Sequence, residues 1–323
     1  MREWKAGWSA IVLVVAAMLG GACGGGRDAG ETGTRGETAA AVDSGPTATM
    51  ALTLEGLQAP EAARFDPELG LYFVSNINGS PMAKDGNGFI SRVTRDGKID
   101  SLKFIEGGRG GVRLNAPKGL AIKGDTLWVA DIDNVRVFDK RSGKPIATVS
   151  LTGKAKFLND AAVGPDGAVY FTDTGVDDDG KGGMGAHTGP DLVFRVEGKR
   201  ASVAVEFKDK PGPNGITWDS AGSRFIVAPL NATAIYQWEP GDSVPTVLAQ
   251  GPGGMDGIEA LGDGRFVVTT WTDSSLFLLQ NDNVTRLIGG LPGPADIGLD
   301  RERGRVAVPQ LTENRLTFVD LRP

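Results

Sequence analysis

Short stretches of alternating apolar and polar residues recur along the chain at a near-constant spacing. The clearest are LYFVSNI (71–77), LWVADI (127–132), VYFTDT (169–174), FIVAPL (225–230), FVVTTW (266–271) and VAVPQL (306–311). Each reads as a strand by its β-branched and aromatic content, and most follow a turn signal such as KGD, PDG or GDG. Upstream of each lies another short strand, as in GLAI, DAAV, GITW and DIGL. Downstream lies a third, as in FISRV, VRVFD, LVFRV and LTFVD. Fourth strands fit IDSLKFI, PIATVSL, VAVEF, PTVLA and VTRLI, and no segment sustains a helical period.

Six repeated units, each a small antiparallel meander, predict an all-β, six-bladed β-propeller over residues 50–323. The sixth unit ends at the C-terminus with three strands. MALTLEGL (50–57) alternates well and has no other place, so an N-terminal strand is expected to close the last blade and cover its edge. A β-sandwich or solenoid would explain neither the constant offsets nor the one missing strand.

Counting back about ten residues from each second strand gives one equivalent position per blade: Glu61, Lys118, Asn159, Asn214, Asp256 and Asp296. All six are polar and open the innermost strands, whose starts ring one mouth of the central channel. Turn preference alone could place a single Asn or Asp there; six in register point to a site. Oxygen ligands of the Glu, Asn, Asn and Asp kind suit a hard divalent cation such as Ca²⁺. Mg²⁺, Mn²⁺ or Zn²⁺ would also accept mixed carboxylate and amide oxygens. A second strand runs back toward the start of the first, so Asn76, Asp131, Asp173 and Gln310 end on the same face. Asp131 can then neutralise Lys118, or Lys118 can contact an anionic substrate. Two enlarged, Gly-rich loops, 78–88 and 175–191, flank the mouth as candidate lids. The second carries Asp177, Asp178 and Asp179, which lack the rest of an EF-hand loop, and His187, a candidate substrate contact.

Composition narrows the chemistry. With one histidine and no Gly-x-Ser-x-Gly elbow, a Ser-His-Asp arrangement is not expected. The sole cysteine, Cys23, follows a short basic stretch and the apolar run 9–19, the layout of a secretory signal peptide. LGGAC resembles the bacterial lipobox, although Leu19 stands four residues before the cysteine instead of three. The reading is a signal at 1–22, a lipidated Cys23 and a tether to residue 49, with a coil span on the order of 25–30 Å. The expected location is therefore outside the cytoplasm, facing periplasm or cell exterior, on a membrane anchor. The formal charge is −6, and losing Arg2, Lys5 and Glu3 with the signal takes it to −7. There is no basic block, so nucleic acid is not an expected partner; a small-molecule substrate and a monomer are.

The ring positions carry a resemblance. Residues 50–323 resemble the gluconolactonase and regucalcin family of six-bladed propellers, in which a blade-one Glu, two Asn and an Asp hold one divalent cation. Glu61, Asn159 in FLNDAAVGPDGAVYFTD, Asn214 in GPNGITW and Asp256 in MDGIEALGDG match those positions in order. The chain departs from the family at EAARF, where Glu-Gly-Pro-x-Trp is usual. Lys118 lies in a PKGLAI…LWVAD segment that is similar to NHL-type repeats. Phe157 stands where sugar-lactone members often carry Arg. The resemblance implies hydrolysis of a lactone or related ester. The cation would polarise the carbonyl, Asp256 or Asp160 would act as general base, and Lys118, Asp296, Asp131, Asp173 and His187 would line the substrate side. The competing readings are a non-catalytic propeller that binds a ligand or partner protein through the same face, and a quinone-dependent oxidoreductase, for which no basic and histidine cluster is present.

Overall fold

The computed structural model describes residues 47–322. The expected signal, Cys23 and all but the last residues of the tether lie outside them. Within the described residues, six four-stranded antiparallel sheets form the blades, and one two-stranded hairpin is added. The fold is the six-bladed β-propeller that the repeats predict.

Blades 1 to 5 run outward in sequence order. Their innermost strands are Pro60–Asp66, Pro117–Lys123, Leu158–Val163, Pro213–Asp219 and Met255–Ala260. Blade 6 is composite. Its three C-terminal strands, Gly298–Asp300, Arg305–Gln310 and Arg315–Arg322, are completed on the outside by Thr47–Glu55. That strand pairs antiparallel with the last one, from Thr47↔Arg322 to Glu55↔Arg315. The closing strand begins three residues before the expected boundary, so Thr47–Thr49 belong to the sheet and not to the tether.

Strand alternation sends one set of side chains to each face of a blade, and both faces are covered by neighbouring blades. The apolar core is accordingly divided into clusters between blades. Phe73, Ile90 and Ile105 of blade 1 meet Leu120, Val129 and Phe138 of blade 2. On the other side Tyr72, Val74 and Val93 meet Ala307, Leu316 and Phe318 of blade 6. The same arrangement joins blades 2 and 3, 3 and 4, 4 and 5, and 5 and 6. With the apolar residues used between blades, the channel at the centre is left to polar ones.

Candidate metal and active site

The pairing of inner and second strands slips at the same place in each of the first five blades. The register shifts fall between Pro60 and Ala62, Pro117 and Leu120, Leu158 and Ala161, Pro213 and Ile216, and Met255 and Ile258. Glu61, Lys118, Asn159, Asn214 and Asp256 all lie within these bulges. A bulge bends its strand and re-aims a side chain, here at the channel mouth. Asp296 reaches the same level by another route. Its inner strand starts late, at Gly298, and Asp296 is held instead by a parallel bridge to Ala62, with its N–H donating to Glu61 O at 2.9 Å.

Buried hydroxyls on the second strands satisfy the backbone that the bulges leave unpaired. Ser75 Oγ accepts from Ala62 N, and Thr172 Oγ1 accepts from Asp160 N while donating to Asn214 O at 2.7 Å. Thr269 Oγ1 accepts from Gly257 N and donates to Ala295 O. Adjacent blades are thereby joined at the ring itself.

All six ring residues are buried. Asn159 donates its amide N–H to Thr174 Oγ1 at 3.0 Å, and Asn214 donates to Met255 O at 3.2 Å. Each amide nitrogen is anchored in the frame, which leaves the carbonyl oxygen as the end for a ligand. Asp256 Oδ2 accepts from Trp271 Nε1 at 2.7 Å. Asp256 Oδ1 and Glu61 Oε2 have neither solvent access nor a hydrogen-bond partner. A buried carboxylate oxygen without a donor is costly unless a proton or cation meets it. Burial, joined by the nearby Asp256, holds the Glu61 carboxyl well above the usual range, and Lys118 opposes this. Burial pushes Asp256 up to about 7 against the pull of its Trp271 and Asn214 hydrogen bonds.

Lys118 is the ring's own cation. Its Nζ donates to Ala116 O at 3.0 Å and stands 4.3 Å from the centre of the Phe157 ring. Burial pulls it down to about 8, although Glu61 and Asp131 favour its charge. Asp131 is thus an electrostatic partner of Lys118, as expected. Its role as a substrate contact does not fit its contacts: Asp131 Oδ1 accepts from Asn115 N and Ala116 N, and Oδ2 from Arg136 Nε. Asp173 is occupied in the same way, by Lys156 N, Phe157 N and Gly175 N. Both carboxylates end a second strand at the level of the ring, but they fasten the loop that enters it.

One layer below lies a cluster that the sequence reading missed. Arg64 donates to Glu259, Asp160 and Asp296, and to Leu120 O at 2.8 Å. Asp160 also accepts from Ile216 N at 2.8 Å and Ala161 N at 2.6 Å. Fully committed and buried, Asp160 is a structural carboxylate, which argues against the general-base role expected of it. Burial raises Asp160, Glu259 and Asp296, most of all Asp296, where the Asp160 charge adds to the effect. Extending the one-per-blade count by three positions finds Arg64 and Glu259, the only opposite charges in that layer, so the signal was present.

Among the described residues this region gathers five buried carboxyls, Glu61, Asp160, Asp256, Glu259 and Asp296, against Arg64 and Lys118, with the half-exposed Arg301 reaching Glu259 at 3.9 Å. The surplus is negative, and protons or a metal ion must balance it. Among the described residues no three His, Cys, Asp or Glu side chains converge as a metal cluster. The set that fits is two carboxylates and two amides, with partnerless oxygens on both carboxylates.

Both enlarged loops sit on the ring side. The second contains a hairpin, Val176–Asp178 with Met184–His187. Met82 of the first loop packs on Phe157 and Val176, and its N–H donates to Gly182 O at 2.9 Å. His187 is half-buried, between Asp191 and Asn231.

A family model described as SMP-30/gluconolactonase/LRE-like region matches residues 82–291. No curated protein matches the chain in sequence. Among solved structures, regucalcin from Agrobacterium tumefaciens, described as a calcium-binding protein, is 15% identical with a TM-score of 0.61, over 84% of this chain and 93% of that one. A candidate gluconolactonase is 16% identical with a TM-score of 0.62, over 86% and 93%. A virginiamycin B lyase from Staphylococcus aureus is 16% identical with a TM-score of 0.56, over 85% and 99%. At these identities the structural likenesses establish the fold.

Proposed function

The chain belongs to the SMP-30/gluconolactonase/LRE-like family, and from that premise we propose that it is a metal-dependent hydrolase of a lactone or related ester. The observation that carries this reading is the pair of buried, partnerless oxygens, Glu61 Oε2 and Asp256 Oδ1, beside two amides whose nitrogens are tied back. Glu61, Asn159, Asn214 and Asp256 would hold one divalent cation, with Ca²⁺ the first choice for an all-oxygen set. The regucalcin relative, described as calcium-binding, is consistent with that choice. When bound, the ion supplies Lewis-acid polarisation of a carbonyl oxygen and lowers the pKa of water.

The chain's own residues do the rest. Trp271 holds Asp256 through Oδ2, which leaves the partnerless Oδ1 as the oxygen for the cation. Thr174 and Met255 O hold the two amides in place. Lys118 keeps Glu61 partly neutralised and presents a positive charge to an anionic product. Met82, Phe157 and Val176 pack together beside Lys118 and would shield that side of the site from bulk water.

Lys118 within the ring also favours a second reading, a propeller that binds its ligand at this mouth without turning it over. The two are separated on the purified protein, loaded with Ca²⁺ and freed of excess by gel filtration. Elemental analysis should give one cation per chain, and lactones or aryl esters should be hydrolysed in a chelator-sensitive way. Asp256→Ala should remove both cation and turnover. A variant that keeps full activity would overturn the mechanism, and a metal-loaded wild type inert to every lactone and ester would leave the binding reading.

A further inference from the structure

We propose that His187, oriented by Asp191, is the proton-transfer residue of this site; the inference rests on the hydrolase reading above. It starts from a pair of hydrogen bonds. His187 Nε2 lies 2.6 Å from Asp191 Oδ1, and His187 Nδ1 lies 3.2 Å from Asn231 Nδ2. The Asp191 side chain is fully buried, and its second oxygen accepts from Gly212 N at 2.6 Å. A carboxylate has no proton to give, so Nε2 is the donor, and the Asn231 amide nitrogen set against Nδ1 makes Nδ1 the acceptor. An acid that fixes the tautomer and leaves the opposite nitrogen basic is the arrangement that proton transfer requires.

The dyad shares its footing with the proposed metal ligands. Gly212 stands two residues before Asn214. Thr174, whose hydroxyl anchors Asn159, also donates to Pro213 O. His187 is therefore built onto the frame that holds both amides, on the lid side of the ring. Its side chain is 20% exposed, whereas that of Asp160 is 1% exposed and all its contacts are committed. Asp256 is fastened by Trp271 and assigned to the cation. Among the described residues on this lid side, His187 pairs an acceptor nitrogen with a side chain that solvent reaches. The amide of exposed Asn231 sits on Nδ1 at 3.2 Å, and rotation of that side chain would free it.

In the attack step the water oxygen bonds to the carbonyl carbon while its proton passes to Nδ1. The bond from that carbon to the ring oxygen then breaks, and Nδ1 returns the proton to the departing alkoxide. Water and lactone sum to the hydroxy acid, and the imidazole ends neutral. Asp191 touches no reacting atom and is a positioning residue.

The chain has a single histidine, so histidine-specific signals belong to His187 alone. In the Ca²⁺-loaded protein, His187→Ala should lower kcat about 100-fold or more, with KM and cation content unchanged, and added imidazole should restore part of the rate. Nitrogen NMR of the labelled imidazole should report the Nε2–H tautomer, and Asp191→Asn should release it. If His187→Ala stays within threefold of an active wild type, or if the wild-type ring carries its proton on Nδ1, the dyad proposal falls while the hydrolase reading stands. If the wild type hydrolyses nothing, the hydrolase reading falls and the dyad's role goes with it.

Discussion

Glu61 and Asp256 each keep one carboxylate oxygen away from solvent and from any donor. Burial raises both carboxyls, Asp256 to about 7 from its ordinary 3.8. In the metal-free protein the folded state therefore binds more protons than the unfolded chain between those values. The stabilising contribution is complete below pH 3.8 and is lost as pH rises through about 7. A cation displaces these protons, so its own contribution should grow over the same window. Thermal melts of chelated and Ca²⁺-loaded protein from pH 5 to 8 should show the chelated curve falling and the gap between them widening. A gap that does not change with pH would show that Asp256 takes no part in cation binding.

At the scale of the strand, the site depends on close backbone approach between neighbouring blades. A Cβ on Gly215 would lie 2.2 Å from Asp256 O, and one on Gly257 would lie 2.5 Å from Ile297 N. Both obstacles are backbone atoms of the next blade, so no side chain can swing aside. Gly215→Ala should cost about 3 kcal/mol, at the upper end of overpacking effects, and should weaken cation binding because it displaces Asp256. Denaturant unfolding with calorimetric titration of Ca²⁺ would measure both, and an unchanged midpoint would contradict this packing. These glycines appear in the sequence only as members of PNG and MDG, where a turn is the ordinary interpretation. The crowding that requires them exists only once six inner strands surround one axis.

For the whole molecule, closure is the dominant problem, because a ring of blades has one seam. The seam lies between blades 6 and 1, and both covalent order and charge reinforce it. Thr47–Glu55 forms the outer strand of blade 6 before the chain enters blade 1. Arg95 of blade 1 donates two hydrogen bonds to Asp300 of blade 6, at 2.6 and 2.8 Å, and the Asp300 side chain is fully buried. Arg95→Ala would leave that carboxylate without its charged partner and should destabilise the seam. The loss should appear as a lower denaturant midpoint. Arg303, whose ion pair with Asp96 crosses the same seam but is exposed, should give under about 1 kcal/mol on replacement by Ala. Equal effects of the two substitutions would remove the distinction between a buried and an exposed seam contact.

The sequence by itself determined what repeats. Six meanders, the strand left over at the N-terminus and the six polar ring positions were all readable, because strand alternation and a constant offset are local properties that each blade states again. Tertiary structure decided what only convergence creates. Asp131 and Asp173, at the ends of second strands, and Asp160, beside Asn159, were expected at the same face as the ring, yet in the folded chain their oxygens are taken up by backbone N–H groups and arginines, a commitment that spacing does not show. Arg64, Glu259 and Asp296 are 195 or more residues from at least one partner in their cluster, and the His187 dyad joins a lid to the next blade. Hydrogen bonding and desolvation act through space, so the role of a polar side chain follows from what surrounds it, and its sequence position fixes only the level and face at which it arrives.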